Sequence, residues 1–136
     1  MHKLSLRLKH LSQEHHAAML LAYAARDAMP QDEADLPGFV TKVCQIFETE
    51  MEPHFREEER FALPKLRAIG RDDLADRTFS EHNAMRAMLV ELEREPTADK
   101  VRAFSAAMEA HVQFEEDVVW EALDTASGHS PQPAVA

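Results

Sequence analysis

Two stretches of this chain, "HFREEERFALPKL" (54–66) and "HVQFEEDVVWEAL" (111–123), share a histidine, glutamates at +4 and +5, and a leucine at +12. On a helix, His54 and Glu58, like His111 and Glu115, project from one face with Cβ atoms about 6 Å apart. Imidazole and carboxylate at that spacing either decorate a solvated surface or bind a cation. The neighbours decide between the two. His54 stands seven residues after Phe47 and seven before Phe61, and His111 stands between Met108 and Phe114. Both pairs therefore fall on apolar faces, where an unpaired charge costs several kcal/mol. A carboxylate there requires something positive beside it.

Two further histidines follow the same rule. His15 lies four residues after Leu11 and four before Met19, and His82 lies between Phe79 and Met85. Each is the second residue of a matching fragment, "EHHA" (14–17) and "EHNA" (81–84). The chain thus reads as two similar helix pairs, each contributing one His and one HxxxE, which predicts a site with approximate two-fold symmetry. Four imidazoles and two carboxylates without thiolates suit iron, manganese or zinc. Two carboxylates match two divalent ions bridged by both. Without a cation they would face each other in a dry core, and raised carboxylate pKa values are expected. His16 is rotated about 100° from His15 on a helix and is assigned no role. None is assigned to His2, His10 or His129 either. Glu57, Glu59 and Glu116 read as a solvated face, with Glu59 and Glu116 able to accept hydrogen bonds from ligand imidazoles. Tyr23 reads as core packing.

Helical elements must position these groups. "MPQDEADLPG" (29–38), "AIGRDD" (68–73) and "REPTAD" (94–99) carry turn chemistry. They leave four segments with helical apolar spacing. The first runs over 5–28, with Leu4, Leu8, Leu11, Ala18, Met19 and Ala22 on one face. The second runs over 37–68, with Phe39, Val43, Ile46, Phe47, Met51, Phe61 and Leu66 on its stripe, and Pro53 and Pro64 should kink or divide it. The third starts at Asp72 as N-cap and carries Leu74, Phe79, Met85, Leu89 and Leu92. The fourth starts at Thr97 as N-cap and carries Val101, Phe104, Met108, Phe114, Val118 and Leu123. Short connections make neighbours antiparallel, so the expected fold is all-α, an up-down-up-down antiparallel four-helix bundle. It would occupy residues 1–126, with 127–136 as a flexible tail.

Composition excludes other classes. A formal net charge of -10 over 136 residues argues against nucleic-acid binding, which needs a basic stripe. No apolar run approaches a membrane span. The N-terminus lacks the apolar core of a signal peptide. The single cysteine, Cys44, reads as a small core residue and fits a reducing cytoplasm.

The motifs "LSQEHHAAML", "HFREEERFALPKL", "FSEHNAMRAML" and "HVQFEEDVVWEAL" together resemble the hemerythrin-like (HHE cation-binding) domain, over about residues 4–124. That resemblance implies a non-heme di-iron centre, with zinc or manganese as other divalent occupants. His15 and His54 would serve one iron, His82 and His111 the other, and Glu58 and Glu115 would bridge. It further implies binding of O2, NO or peroxide in sensing, storage or detoxification. The alternative is a di-iron enzyme that consumes peroxide or donates iron for iron–sulfur repair. A sensor role would need a separate protein partner. The oxygen-carrying members have a fifth histidine at HxxxH spacing on the third helix. Here Thr78 and Arg86 stand four residues either side of His82, which argues against dedicated oxygen storage.

Overall fold

A computed structural model describes residues 6–126, with the side chains of 6–12, 14, 16 and 17 left out. Leu4, Leu8, Leu11, His2, His10, His16 and the 127–136 tail fall outside that description. Four helical rods form an antiparallel bundle, and no strand occurs among the described residues. The first rod is α1 (Leu6–Asp27). The second combines α2 (Leu36–Ile46), a π-helical turn (Phe47–Met51) and α3 (Glu52–Ala68). The third is α4 (Asp72–Arg94). The fourth combines α5 (Ala98–Phe114), a second π-helical turn (Glu115–Val119) and α6 (Trp120–Asp124).

The local reasons are legible. Pro53 lies in the first turn of α3, where its missing N–H leaves no α-helical bond to make, and the chain widens into the π turn just before it. Of the two expected outcomes, Pro64 does not divide the rod: α3 continues through it to Ala68. Gly70 closes the α3–α4 turn at φ 81°, a left-handed conformation that favours glycine. Thr97 caps α5 as expected, its side chain accepting the Lys100 N–H. Asp72 does not cap α4. It is the first helical residue, and Arg71 holds the cap position without a side-chain bond.

Two apolar clusters form the core. The larger joins Ala18, Leu21 and Ala22 of α1 to Phe47, Met51, Phe55, Met85, Leu89, Phe104 and Met108. The smaller joins Leu63, Leu66, Leu74, Phe114, Trp120 and Leu123. Along every rod the histidine stands at the edge of the larger cluster, and on the last three rods the smaller cluster lies beyond it. Cys44 is buried as expected, and burial, then Glu93 and Glu48, push its thiol up to about 11. Phe79 (44% exposed), Ile46 (44%), Val118 (37%) and Tyr23 (41%) are not core residues, contrary to the periodicity reading. Apolar spacing sets a stripe to within a residue, and these four sit on its edge, where the neighbouring rod does not cover them.

Candidate metal centre

The six predicted side chains converge in one buried layer. His15, His54, Glu58, His82, His111 and Glu115 are all buried. They form two quartets, His15–His54–Glu58–Glu115 and Glu58–His82–His111–Glu115, and in each quartet the ligand atoms lie within 4.8 Å of one another. Both glutamates belong to both quartets. Glu58 faces the two histidine pairs with different oxygens: Oε2 is 2.9 Å from His54 Nε2 and 3.3 Å from His15 Nε2, and Oε1 is 2.9 Å from His82 Nε2. Glu115 Oε1 lies 2.7 Å from His15 Nε2 and 3.3 Å from His111 Nε2, and Oε2 lies 3.9 Å from His82 Nε2. The two quartets match in composition, as the repeated motifs predict, but not in detail: Glu58 divides its oxygens between the histidine pairs, whereas Glu115 Oε1 faces one histidine of each.

The second π turn places Glu115 and Glu116. α5 carries His111 on its last turn, and widening the helix at Glu115 aims this carboxylate inward beside it. Several inward atoms lack hydrogen-bonding geometry to any donor or acceptor: His82 Nε2, His111 Nε2, Glu58 Oε1 and both Glu115 oxygens. Buried polar atoms are otherwise almost always paired. Their common focus is the space a cation would fill.

Outside this layer, carboxylates hold the far edges of His15, His82 and His111. His15 Nδ1 lies 2.7 Å from Glu116 Oε2, His82 Nδ1 2.7 Å from Glu59 Oε2, and His111 Nδ1 2.7 Å from Glu81 Oε1. A proton on each Nδ1 leaves each Nε2 lone pair directed at the centre. Glu116 also accepts from Trp120 Nε1 at 3.0 Å, Glu59 from Arg86 at 2.8 Å and Glu81 from Arg77 at 2.9 Å. Rings stack on two imidazoles: Trp120 on His15 at 5.6 Å between centroids, and Phe55 on His82 at 3.9 Å and 6°.

The charge balance corrects one expectation. Burial works against the protonated imidazoles, but the surrounding carboxylates outweigh it. His15 is pushed up to about 12 by Glu115, Glu116 and Glu58, His82 to about 10 by Glu115, Glu58 and Glu59, and His111 to about 9 by Glu115 and Glu81. Burial and Glu115 push Glu58 up, yet His15, His54 and His82 bring it below its ordinary value. Burial likewise raises Glu115, yet His111, His15 and His82 hold it well below. The carboxylates are thus lowered, not raised: the imidazoles around each together outweigh burial and, for Glu58, the charge of Glu115.

Glu59 and Glu116 are part-exposed, as a solvated face requires, yet each holds a histidine. Glu57 forms an ion pair with Arg60 at 3.8 Å. Three partners escaped the sequence reading: Glu81, Arg86 and Arg77. The repeated "EH" was the available signal for Glu81, but this residue adjoins His82 and serves His111 of another rod.

The chain belongs to the hemerythrin HHE cation-binding domain family, whose model matches residues 6–123. No individual curated protein and no solved structure gives a significant match. A buried His/Glu cluster of this composition could hold a metal, as that family's description requires.

Proposed function

We propose that the cluster binds two iron ions, His15 and His54 on one, His82 and His111 on the other, with Glu58 and Glu115 shared. The observation that carries this reading is the membership of both glutamates in both quartets, with the two oxygens of Glu58 turned to different histidine pairs. Imidazole and carboxylate without thiolate suit iron, with manganese or zinc as competing occupants. Two imidazoles per ion and two shared carboxylates leave room for exchangeable ligands. The centre would therefore bind O2, NO or peroxide and serve sensing, storage or detoxification. Thr78, where an HxxxH partner of His82 would stand, is buried and donates its hydroxyl to the Leu74 carbonyl at 2.8 Å. This favours sensing or peroxide handling over reversible storage. No described helix is long and apolar enough to cross a membrane, and the buried free thiol of Cys44 suits a reducing cytoplasm.

The test is metal analysis with an optical spectrum of aerobically purified protein, repeated after dithionite and after peroxide. Two irons per chain and a spectrum that responds to both reagents are expected. Iron saturating at one per chain, unchanged in Glu58→Ala, would refute the shared site. Sustained peroxide turnover lost in Glu115→Ala would move the assignment to an enzyme.

A further inference from the structure

Arg86 stands one helical turn after His82 on α4, yet it reaches across to α3 on the far side of that histidine. Its Nε and Nη2 donate to the two oxygens of Glu52, each at 2.9 Å. Its Nη1 donates at 2.8 Å to Glu59 Oε2, the same oxygen that lies 2.7 Å from His82 Nδ1. The guanidinium carbon also sits 5.5 Å from the centroid of Phe55, the ring stacked on the face of His82. Arg86 thus touches both groups that fix this imidazole, the carboxylate at its edge and the aromatic ring on its face. A second strut comes from Arg56, whose Nε donates to Glu52 at 3.0 Å.

We infer that Arg86 is a positioning residue for the His82 half of the metal centre, acting through Glu59. The inference rests on the di-metal reading above. A carboxylate as accessible as Glu59 (20% of its side chain) would otherwise exchange His82 for water. Arg86, at 24%, presents a planar fork that engages two carboxylates at once, a geometry lysine cannot reproduce. The parallel line through Arg77, Glu81 and His111 is built more weakly. Arg77 is 59% exposed and gives Glu81 one bond, so solvent screens it. Arg77 is therefore the internal control.

The experiment is an anaerobic titration of metal-free protein with Co(II), read by its visible bands and by Trp120 emission. Trp120 stacks on His15 and so reports the opposite half. In Arg86→Gln, one of the two ions should bind about tenfold more weakly, and the ion that Trp120 senses should keep its affinity. Glu59→Gln should do the same, and the double variant should be no worse than Glu59→Gln alone. Arg77→Gln should stay within about twofold of wild type. Arg86→Lys, which keeps the charge without the fork, should recover part of the loss. It also serves if Arg86→Gln does not fold, in which case wild-type binding by Arg86→Lys overturns the inference. Wild-type Co(II) binding in a folded Arg86→Gln, or losses that add to those of Glu59→Gln, overturns it too. Wild-type protein that takes only one Co(II) sinks the di-metal reading itself, and this inference with it.

Discussion

His15 and Glu115 meet Nε2 to Oε1 at 2.7 Å, joining the first rod to the π turn near the end of the last. Both side chains are buried, and the contact belongs to the half of the centre that also holds His54 and Glu58. His15→Ala should therefore lower the affinity for one ion at least tenfold and leave the other bound. His16→Ala, one residue along α1, is the control and should be mild. Metal stoichiometry by elemental analysis decides, and reversed effects would show that the register of α1 is wrong.

The metal-free protein should lose stability in alkali. His15, His82 and His111 have folded-state values of about 12, 10 and 9 against an ordinary 6.5. Their contribution is complete below about 6.5 and is lost as pH rises through 9 to 12. Glu58 and Glu115 are lowered, so theirs is present above the ordinary carboxylate range and lost in acid. Thermal melts of chelator-treated protein should fall as pH rises from about 6.5 towards about 12, a window set by these values. Metal-loaded protein should melt higher and respond less, because bound ions replace those protons. Proton release on metal binding, seen in a weakly buffered titration, is the companion measurement.

The outer carboxylates should matter nearly as much as the inner ones. Glu116→Gln and Glu81→Gln each remove an ionised acceptor 2.7 Å from an Nδ1 atom, and each should cost about 10- to 100-fold in metal affinity. Glu57→Gln should cost little, since its ion pair with exposed Arg60 spans 3.8 Å. Equal affinities in all three variants would show that the imidazoles need no outer support.

Metal binding should be visible in fluorescence. The chain has one tryptophan, and its ring stacks on His15 while its Nε1 donates to Glu116. Iron or Co(II) at that half should quench the emission. Zinc, which has a filled d shell and no redox chemistry, should quench it far less. Trp120→Phe keeps a stacked ring and loses the indole hydrogen bond, so its cost in affinity should fall below that of Glu116→Gln.

Reduced, iron-loaded protein should oxidise quickly in air without a long-lived oxygenated form, and the oxidised protein should bind azide. This follows from Thr78, whose hydroxyl is committed to a backbone carbonyl and adds no imidazole to the His82 half. Stopped-flow spectra under air test it, and a reversible oxygenated spectrum stable for hours would return the oxygen carrier to first place.

The sequence alone determined which residues share a face. Helical periodicity is local, so His54 with Glu58 and His111 with Glu115 were fixed by an i,i+4 spacing, and the four rods by their turns. It also determined that six polar groups on apolar stripes need a common partner, because burial makes each alone too costly. Tertiary structure decided what depends on how the rods are rotated against one another. That rotation buried Thr78 and left Phe79 exposed, and it gave Glu81 to His111 and not to its neighbour His82. It set Arg86 of α4 onto Glu52 and Glu59 of α3. The sign of the carboxylate shifts came from the same source. Sequence shows two acids that repel, and only packing shows that the imidazoles around each one outweigh that repulsion.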